Sequence, residues 1–501
     1  MPRTILPESF TSILQQLRPV FTAPSFSNFV VLVAGFAHAL GGHRITDALR
    51  AAGGAADKHY TSYYRFFSHG RWSLDELGFA LFGVIVEALN LGDEIELVLD
   101  DTLARRSGKK VALASMHADP LLKSQGRQPF MSYGHVFIVL AVHVRVLSLA
   151  KTGWALPVMF RLFEAKSQGG RKDSPSDGRR RLARERMGKT KRNRVRKTDQ
   201  EVVEGGLRRC EPKQDTGPLP AAARRKKTEH AAEMICKLAK RFPKKRFRIL
   251  ADHLYNGRSV LRPLLAEVEN VHVISRGRPD AALFDLPPAR KPGQRGRPRV
   301  KGERLLTPEQ WAESNPGAFK TTTVTMYGRE VTVQIASMLG MAYRSLPGRL
   351  LKYVIVKDPD GIYQPAYLLC TDIELDDVTI VEGYSRRWPL ERTFQECKQK
   401  LCVERTQTQL PASVRRSVPF GMLLYSLVVL WWVTVGHAEA ALLGARLHDP
   451  WYRRTGRASF SEMLAGLRRV SWAGSITDLP SRGPPRHKIF VEYLARVVAA
   501  A

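Results

Sequence analysis

Acidic residues stand at three places in the chain where carboxylates could carry out chemistry. Asp100 and Asp101 end the run IELVLDD, Asp252 follows RFRILA, and Glu391 lies within YSRRWPLERTFQECK. Magnesium prefers oxygen ligands and binds through one or two carboxylates together with phosphate oxygens. Two such ions about 4 Å apart can activate the attacking oxygen and stabilise the leaving oxygen during phosphodiester cleavage. The pattern predicts metal-dependent phosphoryl transfer, although a single Asp at a strand end is more often a cap or turn residue.

The residues around Glu391 form the most specific pattern. Tyr384, Arg387, Glu391 and Lys398 are separated by offsets of 3, 7 and 14 from the tyrosine, which share one face of a continuous helix. Pro389 fits better in the first turn of a helix that holds Glu391, with Tyr384 on the preceding turn. One carboxylate among cations suits a metal-bound phosphate, with Arg387 and Lys398 on backbone oxygens. The alternative is a solvated helix with an Arg387–Glu391 pair.

The charge balance indicates a polyanionic partner. The 501 residues hold 79 Lys and Arg against 47 Asp and Glu, a net charge of +32 with a pI near 10.3. Such a surplus repels itself unless a polyanion neutralises it, so DNA or RNA is the leading partner and a small-molecule metabolic enzyme is disfavoured. Residues 166–200 alone carry 14 basic and 4 acidic residues, which predicts a basic arm or loop at 166–227 that orders, if at all, on phosphates.

Two smaller basic groups are further candidates for DNA contact. Arg295 and Arg297, within PGQRGRPRVKG, resemble the core of an AT-hook, which enters narrow minor grooves. Arg105 and Lys109 follow the first Asp and could meet phosphates, or could equally be solvated surface residues.

Cysteine content and hydropathy favour a cytoplasmic protein. The five cysteines are odd in number and form no CxxC pair, and the first residues show no secretory signal. Residues 417–436 contain no charge and are long enough to span a bilayer. In so basic a protein we expect a buried core helix there and no membrane partner.

The periodicity divides the chain into helical and strand-rich parts. We expect a helical DNA-binding region at 1–92, the first part of an α/β core at 93–275, a β-rich insertion at 276–378, the second part of the core at 379–412 and a helical region at 413–501. Within the insertion, the turn Asp358-Pro359-Asp360-Gly361 predicts a hairpin.

Taken together, these residues resemble a family. The pattern Tyr384-x2-Arg387-x3-Glu391-x6-Lys398 is the signature of a large class of bacterial insertion-sequence DDE transposases that cut and paste DNA. Asp100 with Thr102 is similar to the first-aspartate motif of that class, and Asp252 with Tyr255 to the second. The order of the three acids and a β-rich segment before the Glu agree as well, so the resemblance covers roughly residues 90–410.

The resemblance implies a fold, an activity and a ligand set. The fold would be an RNase H-like mixed-sheet α/β core with a β-rich insertion and helical regions at both ends. Asp100, Asp252 and Glu391 would be the catalytic residues and would hold two Mg²⁺ ions, or Mn²⁺ in their place, with Asp101 as the fallback for the first position. Tyr384, Arg387 and Lys398 would grip the terminal phosphates of the transposon end.

The resemblance also implies partners and leaves alternatives open. The enzyme would cleave double-stranded DNA at terminal inverted repeats, in some relatives through a hairpin, and transfer the strand into target DNA as at least a dimer on the nucleoid. A catalytically silent, domesticated DNA-binding protein of the same fold is the alternative function, and a membrane-associated protein using 417–436 is a third.

Overall fold

The computed structural model describes residues 4–40, 44–108, 111–119, 122, 130–150, 152–164, 225–289, 296–442 and 458–477. Its helices lie at both ends of the chain and between the strands. Their bounds are α1 (Glu8–Gln16), α2 (Ala23–His38), α3 (Ile45–Ala52), α4 (Tyr60–Ser68), α5 (Leu74–Ala88), α6 (Lys227–Arg241), α7 (Arg258–Glu267), α8 (Pro308–Ser314), α9 (Asp377–Ser385), α10 (Trp388–Gln399), α11 (Pro411–Trp431), α12 (His437–Leu442) and α13 (Phe460–Thr477).

The strands of the described residues form one mixed sheet. Their bounds are β1 (Glu94–Arg105), β2 (Ser115–Ala118), β3 (Met131–Val144), β4 (Trp154–Phe163), β5 (Arg246–Ala251), β6 (Val271–Arg276), β7 (Lys320–Met326), β8 (Arg329–Gly340), β9 (Leu351–Lys357) and β10 (Ala366–Cys370). The order is β2-β3-β1-β5-β6-β10-β9-β8-β7, and β4 also pairs with β3.

The five core strands have the arrangement expected of an RNase H-like fold. Strands β4, β3 and β1 pair antiparallel, whereas β5 and β6 continue the sheet parallel to β1. Parallel neighbours need long crossovers, and α6 and α7 supply them between β4, β5 and β6. The predicted α/β mixed-sheet class with helical terminal regions is confirmed.

Strand β1 extends further than its sequence indicates. The apolar run stops at Asp100, but the strand continues to Arg105 because β3 pairs with it as far as the Arg105–Gly134 register. Its parallel pairing with β5 ends earlier, at Leu99–Ala251. Asp100 and Asp101 therefore lie inside a strand that has lost one neighbour, and not at a strand end.

Residues 276–378 are rich in strands, as predicted, and four of these strands extend the core sheet. Strand β10 pairs antiparallel with β6, and β9, β8 and β7 follow it outward. The turn at 358–361 joins β9 to β10, and Asp358 Oδ2 accepts hydrogen bonds from the backbone amides of Ile362 and Tyr363 at 3.0 and 3.1 Å. The division into domains is a separate prediction that these pairings do not test.

The apolar segment near the C-terminus forms the central helix α11. The stretch Pro411–Leu442 is long and apolar enough to cross a bilayer, yet 83% of its most apolar window is buried inside the protein. Helix α11 contacts β4, α2, α4 and α13, and Ser426 Oγ donates to the Pro157 carbonyl at 2.8 Å. It occupies the position of a core helix that joins the terminal helices to the sheet.

Candidate active site

Asp100 and Asp252 are brought together by strand register. Leu99 of β1 pairs with Ala251 of β5 in parallel, and each aspartate is the next residue along its strand. Neighbouring strands lie about 5 Å apart, so the two backbones hold the aspartates side by side at the point where the ladder ends. The side chain of Asp252 is 38% exposed, which leaves it accessible from solvent.

Glu391 is positioned by the start of α10. Asp376 caps α9 by accepting from the Thr379 amide at 3.0 Å, and α9 ends at Ser385, so that two residues lie between α9 and α10. Pro389 lies in the first turn of α10 with Glu391, because a proline lacks the amide that a first turn leaves unpaired. Thr393 Oγ1 donates to the Ala155 carbonyl of β4 at 3.0 Å and holds the helix on the sheet. The predicted helix break between Tyr384 and Glu391 is confirmed.

Arg387 connects the carboxylates of two distant parts of the chain. Its Nη1 lies 2.6 Å from Asp100 Oδ2 and its Nη2 lies 2.6 Å from Glu391 Oε1. The guanidinium is only 17% exposed, so both contacts are shielded from solvent. Asp100 and Glu391 consequently share one cation although they are 291 positions apart in the sequence.

Asp101 has a different set of partners. Successive side chains of a strand point to opposite faces, and Asp101 accepts from Lys227 Nζ at 2.8 Å and from the Tyr255 hydroxyl at 2.9 Å. Its backbone amide donates to Asp100 Oδ1 at 2.8 Å. Of the two neighbouring aspartates, Asp100 is the one whose side chain shares a partner with Glu391.

The site carries more negative charge than its cations neutralise. Burial raises the pKa of Asp100 to about 6; the Arg387 charge opposes this, whereas the charges of Asp101 and Glu391 add to it. Burial and the carboxylates of Asp101, Asp100 and Asp252 also raise the pKa of the Tyr255 hydroxyl. A buried site with several carboxylates favours any cation that can enter it.

Tyr384 and Lys398 have different surroundings. Burial raises the pKa of Tyr384, while the charge of Arg387 lowers it and that of Asp252 raises it, which places both groups near the phenol. Lys398 Nζ lies 3.7 Å from Glu404 Oε1, and burial lowers its pKa. The four residues of the pattern are thus distributed over α9, the α9–α10 connection and α10.

The structure describes some of the remaining candidates for DNA contact and not others. The Arg105 guanidinium is 41% exposed and pairs with Asp119 at 2.7 Å, whereas Arg297 is exposed. Arg295, Lys109 and residues 166–224 of the predicted basic arm lie outside the described residues.

Sequence reasoning missed three contributors to this region. Lys227 binds Asp101, Asp119 binds Arg105, and Glu404 accepts from the Arg105 amide at 3.1 Å while it faces Lys398. None belongs to a motif, and their partners are between 6 and 299 positions away, so only the folded chain reveals them.

The oxygens of Asp100, Asp252 and Glu391 are suitable ligands for a divalent metal ion. In this structure Arg387 lies between Asp100 and Glu391. Carboxylate oxygens are the ligands of Mg²⁺ and Mn²⁺, and Asp100 and Asp252 are neighbours across β1 and β5. Among the described residues, no three His, Cys, Asp or Glu side chains are grouped as ligands of one ion. The Arg387 guanidinium supplies positive charge between Asp100 and Glu391, where an ion would otherwise balance them.

A known protein family is similar to most of this chain. The family described as DDE superfamily endonuclease matches residues 16–334, more than half of the chain. A piggyBac transposase, solved as a synaptic complex with hairpin DNA, is similar at 11% identity and a TM-score of 0.36 over 98% of this chain and 80% of that chain. No curated protein matches the sequence.

Proposed function

Because the chain belongs to the DDE superfamily endonucleases, we propose that it is a DNA transposase of the insertion-sequence class with the Tyr-Arg-Glu-Lys signature. It cleaves DNA at the ends of a transposable element and transfers the freed strand into target DNA. The observation that carries this proposal is the contact of Arg387 with both Asp100 and Glu391. That contact joins the first and last acids of the sequence pattern. It lies where the pairing of β1 with β5 ends, and Asp252 directly follows β5 there.

The proposed reaction is a pair of phosphoryl transfers without a covalent protein–DNA bond. Water attacks a phosphodiester at the element's end, the P–O bond to the 3′ oxygen breaks, and that oxygen leaves as a 3′-OH. The 3′-OH then attacks a second phosphodiester, either in the opposite strand, which closes a hairpin, or in target DNA. Each step exchanges one P–O bond for another, so no oxidant or reductant is needed.

Asp100, Asp252 and Glu391 would hold two Mg²⁺ ions, with Mn²⁺ as a substitute. When bound, such ions act as Lewis acids that activate the attacking oxygen and stabilise the leaving oxygen. Asp100 is favoured over Asp101 as the first ligand because its side chain shares Arg387 with Glu391, whereas the partners of Asp101 are Lys227 and Tyr255. Arg387 contacts two of the carboxylates and Tyr384 lies near Asp252. These two residues and Lys398 would orient the phosphates of the scissile strand by hydrogen bonds to non-bridging oxygens.

The proposed partner is double-stranded DNA, bound by at least two copies of the chain in the cytoplasm. The net charge of +32 supports this proposal. If about eight DNA phosphates are neutralised, the logarithm of the association constant for DNA should fall with the logarithm of the salt concentration, with a slope of about −7. A slope near zero would exclude binding through the phosphate backbone.

A cleavage assay tests the function directly. Purified protein is incubated with the DNA that flanks its own coding sequence and with Mg²⁺ or Mn²⁺, and the products are separated on native and denaturing gels. We expect discrete double-strand ends from the wild type and from Glu267→Gln, whose carboxylate lies on the surface at 49% exposure. Glu391→Gln should give none, and hairpin ends would show as denaturation-resistant double-length strands.

One observation favours a second candidate, a catalytically silent DNA-binding protein. Arg387 occupies the space between Asp100 and Glu391, and no three ligands are grouped among the described residues. In that case wild type and Glu391→Gln bind the same DNA equally and neither cleaves it at any metal concentration.

A further inference from the structure

A second concave site lies away from the carboxylates, between the terminal helices. Its volume is about 630 Å³, within the range of pockets that hold small organic ligands. It is bordered by the end of α2, the start of α3, the turn before α11 and helix α13. Its lining includes the side chains of His38, Arg44, Arg50, Arg405, Arg468 and Trp472.

The cavity is strongly basic. Among its described lining residues Asp47 is the one carboxylate, and it lies 3.4 Å from Arg50. Arg44 and Arg405 are exposed. Arg468 donates to the Ala37 and Ala39 carbonyls at 2.9 and 3.2 Å, and burial lowers its pKa. Guanidinium groups bind phosphate through paired hydrogen bonds, so an anion with a phosphate group fits this wall.

His38 adds a neutral ring to the cavity wall. The residue is 7% exposed, and Nδ1 lies 2.8 Å from the Ala34 carbonyl. A carbonyl can only accept, so Nδ1 carries the proton. Burial lowers the pKa of His38 to about 4, which keeps the ring neutral near pH 7. Nε2 has less than 1 Å² of accessible surface, so recognition of a ligand depends on the arginines and Trp472.

Trp472 completes the set with an aromatic face. It is half-buried at the cavity wall, and indole rings stack on nucleobases of any sequence. The two kinds of group suit two parts of one ligand: arginines for a phosphate and an indole for a planar base.

We propose that this cavity binds a nucleoside phosphate, with the phosphate on the arginines and the base against Trp472. The ligand is either a free nucleotide or a single unpaired nucleotide of a DNA strand, and both present the same chemistry. The site is separate from the carboxylates, so it does not depend on the transposase proposal.

The test is a binding measurement on the full chain in EDTA, where cleavage chemistry plays no part. Calorimetry is performed with 5′-dAMP, with deoxyadenosine, with inorganic phosphate, and with an oligothymidylate. We expect dAMP or the oligonucleotide to bind, and deoxyadenosine and inorganic phosphate each to bind roughly tenfold more weakly or worse. Binding by dAMP identifies a free nucleotide as ligand, and binding by the oligonucleotide alone identifies a DNA strand.

Variants tie this binding to the cavity. Trp472→Leu and the pair Arg44→Gln/Arg405→Gln should each weaken it by about tenfold or more, while Trp472→Phe should restore most of the loss. Arg349→Gln, an exposed arginine that does not line the cavity, should leave it unchanged. Unchanged melting temperatures would show that the variants fold. The proposal is overturned if no nucleotide binds, if phosphate alone binds as tightly as dAMP, or if folded Trp472→Leu binds as the wild type does.

Discussion

Strand β1 carries two half-buried carboxylates, Glu96 and Asp100, whose surroundings differ in a way that separates stability from function. Four positions apart, they point to the same face of the strand. Consecutive arginines bind them: Arg386 Nη1 lies 2.6 Å from Glu96, and Arg387 Nη1 lies 2.6 Å from Asp100. The two arginines are the residues between α9 and α10, so one short connection fastens both carboxylates.

The balance of neighbouring charge sets the two groups apart. Burial alone would raise the pKa of Glu96, but the hydrogen bond and charge of His143 and the charge of Arg386 outweigh it, so its pKa falls to about 2. Arg248 adds a third cationic contact at 3.6 Å. At Asp100 burial dominates and the other carboxylates add to it, so the pKa rises to about 6. The Glu96 end stabilises the fold, whereas burial leaves the Asp100 end with a carboxylate whose charged form is disfavoured, and such perturbed groups are frequent at functional sites.

The largest effect should come from Asp100→Asn. We expect DNA cleavage to fall by about a thousandfold or more, because a preorganised charge at the reacting centre is lost. The free energy of unfolding at pH 7 should stay equal or rise, because the substitution removes a carboxylate that the fold holds in its disfavoured charged form. Cleavage rates and urea unfolding of the same preparations measure both. Strong destabilisation of this variant would contradict the proposed division.

The reverse is expected for Glu96→Gln. The substitution removes a carboxylate that His143, Arg386 and Arg248 share, although Arg386 keeps Glu382 and Arg248 keeps Glu94. The shift of the Glu96 pKa to about 2 corresponds to a cost of about 3 kcal/mol of unfolding free energy. Cleavage by the folded fraction at low temperature should fall less than tenfold, a small effect compared with that of Asp100→Asn. If Glu96→Gln abolished cleavage while the protein stayed folded, both ends of β1 would be part of the site.

The two carboxylates should give stability profiles of opposite sign with pH. Glu96 has a folded pKa below its usual 4.5, so its contribution is present above pH 4.5 and is lost as the pH falls towards 2, about 3 kcal/mol in all. Asp100 has a folded pKa raised from 3.8 to about 6, so its contribution is present below pH 3.8 and is lost as the pH rises through 6. Urea unfolding of wild type and each variant between pH 3 and pH 8 resolves them. The difference in unfolding free energy between Asp100→Asn and wild type should grow in favour of the variant across pH 4–6. A difference that does not depend on pH would refute the raised pKa of Asp100.

The comparison also shows what the sequence could and could not predict. The spacing from Tyr384 to Lys398 and the position of Pro389 predicted the start of α10, because these signals are local. The parallel register of β1 and β5 places Asp100 beside Asp252. The sequence suggested this proximity, because each aspartate follows an apolar run typical of a strand. The contact of Lys227 with Asp101 and the cations around Glu96 join residues up to 290 positions apart. Nothing in a local pattern specifies such contacts, since they depend on how the strands and helices pack.

Addition of a metal ion should give the smallest effect and distinguish the two ends of β1 once more. A ligand that binds only the folded state at ten times its dissociation constant stabilises it by about 1.4 kcal/mol. We expect Mn²⁺ to raise the melting temperature of wild type and of Glu96→Gln by similar amounts, because Glu96 keeps its own cations and lies outside the carboxylate site. Asp100→Asn and Glu391→Gln should show little shift, since each removes an oxygen donor. Calcium, which takes the same oxygen ligands, serves as a second ion. A shift of equal size in all four proteins would mean that the ion binds elsewhere, and it would remove the metal from the proposed mechanism while the contact between Arg387 and the two carboxylates remained a structural one.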